Sequence, residues 1–330
     1  MAQQNRRLLL IAPSFFGYAN EIRKNLEQNG FDVWQYDQLP AVDNITKAIF
    51  RLTPWLGRAR ADKYYDRIAA ELADHAISHV LVIKGEALSV RSIRKLRAVF
   101  KEAKFVLYFW DSYLNMPRDS VSKVSLFDRA FTFDPDDAKL DTRLAYRPLF
   151  YLDEYLDLPR DQPTTDVLFV GTAHTDRYAI ISKLSKSIPP ELNFRKVLYL
   201  PSRWIFRIRK VFDPSFWKSR SAEFVFASVA KSEMLRLIAQ SRIIVDIERS
   251  VQHGLTMRTI EMLGAGKKMI STNANVTACD FYHPSNIAVI DRSDPVLSEQ
   301  FLSAEYVRPA PAVLERYSLS AWVKEVVIES

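Results

Sequence analysis

The chain has 330 residues and a single cysteine, Cys279. No internal disulfide and no cysteine-based zinc cage can form, and a reducing compartment suits it. No apolar stretch reaches the length of a transmembrane helix. Leu8–Ala12, which follows Arg6 and Arg7, is too short for the apolar region of a signal peptide and reads as a first strand. Zinc-ligand spacings and the Gly-aromatic motifs of RNA-binding modules are also missing, which argues against a nucleic-acid partner. These absences point to a cytoplasmic protein.

What is present is ordinary for a globular chain. Apolar residues make up 48% and charged residues 26%, which excludes collagen-like, disordered and disulfide-scaffold classes. The length suits two domains. The net charge of +7 is unevenly placed. Arg195–Arg220 holds eight basic residues against one acidic, Asp213, so this segment alone matches the whole chain's excess. Such local charge argues for one anionic contact.

Strands and helices alternate from the start. Arg7–Ala12, Phe31–Tyr36, His79–Lys84, Phe105–Phe109 and Arg129–Phe133 read as strands. Ala19–Gln28, Asp62–His75 and Ser89–Lys101 read as helices, and 41–60, with Pro54 and Gly57, as irregular. Runs such as Val80–Ile83 suit strands buried on both faces, so this half is a doubly wound α/β sheet. Ligands of such sheets collect beyond the carboxyl ends of the strands. The residues there are Ser14, Phe16 and Gly17 in one loop, then Lys84, Gly85, Glu86, Asp111, Ser112 and Asp134. Arg147–Pro163 is rich in proline and polar residues and reads as a linker. Asp166–Gly171 then opens a second sheet. The turn after it gathers Gly171, Thr172, His174, Asp176 and Arg177 at a helix start.

The most informative stretch is His253–Thr272. The β-branched run Ile243–Ile247 precedes it and reads as a buried strand. Gly254 is expected to permit a sharp turn and Thr256 to cap a helix. Gly264 and Gly266 are expected to end that helix before the strand at Met269–Ile270. A helix entered in this way presents amide donors and a positive dipole end to an anion. Arg258 adds a cation in the first turn. Glu261, on the same face, suits the two hydroxyls of a ribose. The alternative is an ordinary crossover helix with Arg258 and Glu261 as a solvated pair.

Arg258-Thr-Ile-Glu261 followed by Gly264-Ala-Gly-Lys-Lys-Met-Ile-Ser-Thr272 resembles the donor-binding element of GT-B glycosyltransferases, in particular the spore-maturation (CgeB-like) and capsule or lipopolysaccharide branch. Large retaining GT-B families carry a Glu eight positions before the second one, where this chain has His253, so the role of that first Glu does not transfer. The resemblance implies two Rossmann-like domains facing across a cleft. The first is 1–150 with a returning helix at 318–330, and the second is 151–317. It also implies a nucleotide-sugar donor as substrate, with no separate cofactor. The donor would lie on Gly171, Thr172, His174, Arg177, His253, Gly254, Thr256, Arg258 and Glu261. A glycan or lipid-linked acceptor would lie by Ser14, Phe16, Gly17 and Lys84, with the base preferred at Glu86 over Asp111.

Cations would replace a metal, because Asp134-Pro-Asp136 suits a helix start better than a metal motif. In Arg203–Phe212, the side chains of Trp204, Ile205, Ile208, Val211 and Phe212 share a face at helical spacing. That face suits either anionic lipid at the inner side of the plasma membrane or the protein core. Two other functions stay open. One is a non-catalytic sugar-nucleotide or polysaccharide binder of this fold, and the other is an epimerase-like enzyme acting on the donor itself.

Overall fold

The computed structural model describes residues 6–14, 16–39, 54–117, 119–159, 163–174, 176–249 and 253–330. The chain divides into two compact units. The first comprises Met1–Leu149, Gln252–Gly254 and Leu319–Ser330, and the second Phe150–Val251 and Leu255–Ser318.

In the first unit β1 (Arg6–Ala12), β2 (Phe31–Asp37), β3 (His79–Ile83), β4 (Lys104–Phe109), β5 (Arg129–Thr132) and β6 (Leu144–Tyr146) form one sheet in the order β2-β1-β3-β4-β5-β6. Every pairing is parallel. Parallel strands need crossovers that cover both faces, so central strands read as unbroken apolar runs. Leu8–Ile11 and Val80–Ile83 are such runs, and all are buried. The crossovers include α1 (Tyr18–Gln28), α2 (Pro54–Glu71), α3 (Val90–Val99), α4 (Asp119–Lys123) and α5 (Pro135–Leu140).

The second unit repeats the scheme. Its strands are β7 (Thr165–Thr172), β8 (Phe194–Tyr199), β9 (Phe224–Val225), β10 (Ser241–Asp246), β11 (Lys268–Ser271) and β12 (Ile287–Val289), in the order β12-β11-β10-β7-β8-β9. All pairings are again parallel. Its helices are α6 (Arg177–Ser187), α7 (Arg203–Phe212), α8 (Lys231–Ala239), α9 (Met257–Ala265), α10 (Glu299–Ser303) and α11 (Pro311–Arg316).

The chain's last helix, α12 (Leu319–Val323), continues as a π-helical turn, Lys324–Ile328, and belongs to the first unit. Trp322 is fully buried there, edge-on to Tyr108 at 4.8 Å. Ser320 accepts from the Asn25 amide at 2.9 Å. Glu325 pairs with the buried Arg147 guanidinium at 2.8 Å.

Several local expectations are corrected. Of the segment read as irregular, 41–53 lies outside the described residues, and from Pro54 onward it is helix α2. Proline suits the first helical turn, where its missing N–H leaves no intrahelical bond unmade. The stretch read as a linker is packed at its start. Leu149, Phe150, Tyr151, Leu152 and Tyr155 are all buried, because their apolar area outweighs the polar residues among them; residues 160–162 lie outside the described residues. Gly264 lies within α9, where a Cβ would stand 2.6 Å from the Tyr151 ring. Gly266 alone makes the left-handed end, at φ 62°. Gly254 lies at the expected bend without left-handed backbone, and glycine is required there because a Cβ would stand 2.4 Å from Phe133.

Candidate functional site

In an open parallel sheet, neighbouring crossovers diverge where the strand order reverses, leaving a crevice at the carboxyl ends. That point lies between β1 and β3 in the first unit and between β7 and β10 in the second. The predicted residues fall on these two sheet edges, and their chemistry differs sharply.

In the second unit Arg177, the first residue of α6, reaches back over the switch point. Its Nε donates to the Ile247 carbonyl at 2.7 Å and its Nη1 to the Thr172 carbonyl at 3.4 Å. Both acceptors are neutral, and among the described residues no carboxylate pairs with this guanidinium. Burial pulls its pKa down, and Arg249 and Arg258 act in the same direction against Asp246 and Glu248. A side chain at Gly171 would crowd Phe169 at 3.1 Å and Arg177 at 3.6 Å. His174 is half-buried. Burial first, then Arg177, Arg249 and Arg209, lower its pKa to about 4, so it is neutral at pH 7.

The carboxylates on this edge are engaged. Asp246 accepts from Thr256 at 2.5 Å and from the Thr259 hydroxyl at 2.8 Å. Asp176 and Glu248 both pair with Arg292, at 3.0 and 2.7 Å, and Glu248 also accepts from Thr272 at 2.6 Å. Arg249 is exposed and has no ion pair among the described residues. An edge with its acids engaged and its arginines only partly matched attracts anions.

Helix α9 starts on this edge. Thr256 is its cap, and its hydroxyl accepts from the Thr259 amide at 3.1 Å. Helix geometry leaves the other first-turn amides without intrahelical acceptors. Arg258 Nε lies 3.4 Å from Glu261. Glu261 is buried and also accepts from the Tyr155 hydroxyl. The pair is therefore formed, but it is not solvated.

The first unit's edge carries acids. After β3, Lys84 and Gly85 both adopt left-handed backbone, at φ 71° and 68°. For lysine this is a strained conformation of the kind that gathers at functional sites. Lys84 Nζ is placed 2.8 Å from Asp111 and 3.3 Å from Glu86. Burial opposes its charge, but the hydrogen bond to Asp111 and both carboxylates prevail and raise its pKa. The sequence suggests Lys84 as a partner for either carboxylate, and the structure pairs it with both. In the loop after β1, Phe16 (φ 52°) is exposed and Gly17 (φ 77°) begins α1. The Ser14 amide donates to Asp37 at 3.0 Å.

Asp134 caps α5 through the Asp136 amide, as the helix-start reading expects. It also accepts from Ser112 and, at 3.1 Å, from the Gly254 amide. His253 belongs to this unit, with Nδ1 2.7 Å from Asp136. Lys139 first, then His253, lowers the Asp136 pKa. Asp137 is buried and accepts from the Tyr113 amide at 2.8 Å. Burial, outweighing that bond and helped by Asp134 and Asp136, raises it to about 6.

Sequence reasoning missed Arg249, Asp137 and Tyr155. Arg249 follows the run Ile243–Ile247 almost directly, so the strand-end argument that selects Glu86 and Asp111 reaches it too. Tyr155 has no such signal, since its link to Glu261 exists only after folding.

No protein-family profile matches the chain, and no curated protein matches its sequence. Solved structures do match in fold. Anabaena HepE with UDP and glucose aligns at TM-score 0.60 and 9% identity, covering 98% of each chain. The trehalose-phosphate synthase (UDP-forming) of Burkholderia xenovorans, in complex with glucose-6-phosphate, aligns at 0.65 and 12%, covering 98% of this chain and 99% of its own. Acinetobacter baumannii MurG aligns at 0.53 and 11%, covering 98% and 100%. At such identities the likeness shows the fold alone. It is the GT-B fold, two Rossmann-like α/β domains, each here with a six-stranded parallel sheet.

Proposed function

We propose that this protein is a glycosyltransferase of the CgeB-like, capsule and lipopolysaccharide branch. It moves a sugar from a nucleotide-diphosphate donor to a glycan or lipid-linked acceptor in bacterial surface polysaccharide assembly, at the cytoplasmic face of the membrane. The observation that carries this reading is the group of arginines at the second unit's switch point, together with the capped start of α9. Anabaena HepE, a fold neighbour, binds UDP and UDP-glucose.

In this reading Arg177, Arg249, Arg258 and the first turn of α9 hold the diphosphate. Gly171 keeps the backbone close, and Thr172 and neutral His174 offer hydrogen bonds, whereas the Gly254 amide and the Thr256 hydroxyl are already given to Asp134 and Asp246. Glu261 holds Arg258 and meets the ribose. His253, expected on the donor side, lies in the first unit with Asp136 at its imidazole. Charge on the leaving diphosphate is met by cations already in place, so no metal is required. The acceptor lies by Ser14, Phe16, Gly17 and Lys84. Glu86 takes its proton as the new bond to the sugar carbon forms, and Asp111 supports Lys84.

A panel of nucleotide sugars and diphosphates, with EDTA present, tests this by thermal shift. A donor at a hundred times its Kd stabilises by ~2.7 kcal/mol, and Arg258→Ala should abolish the shift. An unchanged shift removes Arg258 from the site. One observation favours a binder without turnover: both candidate bases are tied to the Lys84 ammonium. Formation of glycosylated product from a bound donor decides between the two.

A further inference from the structure

Helix α7 buries one apolar side chain fully in the second unit, and Lys210 donates to the Ser219 carbonyl at 2.7 Å. Phe206 is buried against Phe224, with ring centroids 5.3 Å apart, and Ile205 is partly covered. The other apolar side chains point outward. Trp204 is 66% exposed, Val211 66%, Phe212 79% and Ile208 43%, and Trp217 just beyond the helix is 60% exposed. At helical spacing, Val211, Trp204, Ile208 and Phe212 fall within an arc of about 100°. The sequence places Ile205 on the same face as these residues; in the fold it turns toward the core and leaves them in solvent.

Cations border this arc. Arg203 and Arg207 lie along one side, and Lys218 and Arg220 follow Trp217. None of these four forms an ion pair among the described residues. The single acid of the segment, Asp213, is 3.9 Å from Arg209 and accepts from the Ser215 amide. Large apolar groups left in water at this density mark a contact surface. A rim of cations that form no ion pairs among the described residues fits an anionic partner. Tryptophan beside arginine and lysine matches the headgroup layer of a bilayer, where aromatic rings settle and long cationic side chains reach the phosphates.

We propose that α7 and Trp217 dock the second unit peripherally on a membrane rich in anionic lipid. The apolar arc enters the interface, and Arg203, Arg207, Lys218 and Arg220 contact lipid phosphates. Among the described residues no helix is long and apolar enough to cross a membrane. The purpose of docking, access to a lipid-linked acceptor, rests on the transferase reading. The binding itself does not.

Co-sedimentation with phosphatidylglycerol–phosphatidylcholine vesicles, against phosphatidylcholine alone, tests the proposal. The protein should pellet with the anionic vesicles and be released by salt. Arg203→Gln and Arg207→Gln should each lower partitioning about fivefold, from ~1 kcal/mol per cation. Trp204→Ser with Phe212→Ser should lower it at least about tenfold. These exposed positions leave the melting temperature and the donor-induced shift unchanged, so failure of docking is distinguishable from failure of the transferase reading. Equal pelleting with both vesicle types, or variants that pellet like the parent, would overturn it. So would a self-associated species that the Trp204/Phe212 variant dissociates, or preference for an oligonucleotide over vesicles.

Discussion

The two units share a sheet plan and oppose each other in charge. At the carboxyl edge of the first sheet stand Glu86, Asp111, Asp134, Asp136 and Asp137, with Lys84 held among them. At the same edge of the second stand Arg177, Arg249, Arg258 and Arg292, with the acids bound internally. Burial tempers the contrast, pushing Asp137 up to about 6 in one unit and His174 down to about 4 in the other. Both shifts move a buried group toward its neutral form. Backbone topology fixes where a ligand can sit, and side chains decide its sign. In the proposed reading the donor phosphates meet the second edge and the acceptor the first.

The largest expected effect would split the units by function. Glu86→Gln should lower transfer by about 10²–10⁴ if Glu86 is the base, with donor binding unchanged, and Asp111→Asn less. Arg177→Ala should do the reverse and remove the donor shift first. If Glu86→Gln abolishes donor binding, or Arg177→Ala leaves it intact, the division of labour fails.

Next is the acidic edge. Asp137 has a folded pKa above its unfolded value of 3.8, so the native state holds its proton more tightly. Stability from this group is therefore present at low pH and lost as pH rises from about 4 to about 6. Asp137→Asn keeps an acceptor for the Tyr113 amide and cannot ionise. Urea melts should show the variant gaining on the parent between those pH values and holding the gain above. A difference independent of pH would assign the effect to packing.

How much of this could be read in advance follows from the range of the interactions. Val80–Ile83 and Ile243–Ile247 announce buried parallel strands because apolar runs are a local property. Thr256 announces its helix cap for the same reason, with its acceptor bond three residues away. Gly254 stands at a bend before the helix, as a turn residue should, but it meets a second demand as well. Its neighbour Phe133 is distant in sequence, so the close approach could not be anticipated. The Lys84–Asp111 pair joins two strand ends through the register of β3 and β4, and the Glu261–Tyr155 contact depends on a segment that composition described as a linker. The orientation of α7 was open because a stripe of apolar residues looks the same whether it faces the core or the solvent.

The smallest effect is the most specific to the cationic edge. His174 has a folded pKa of about 4 against an ordinary 6.5, owing to burial and to Arg177, Arg249 and Arg209. The unfolded chain therefore binds the proton more readily, and stability from this group falls as pH drops from about 6.5 toward 4. A diphosphate bound among those arginines would cancel their share of the shift and leave the share due to burial. Followed by NMR, the His174 ring should titrate near 4 in the free protein and higher when saturated with a nucleoside diphosphate, while the ring of His79 in the first unit stays near 4. If His174 does not move while the ligand is bound, the anion is not among these arginines, and the charge contrast between the units is a matter of stability alone.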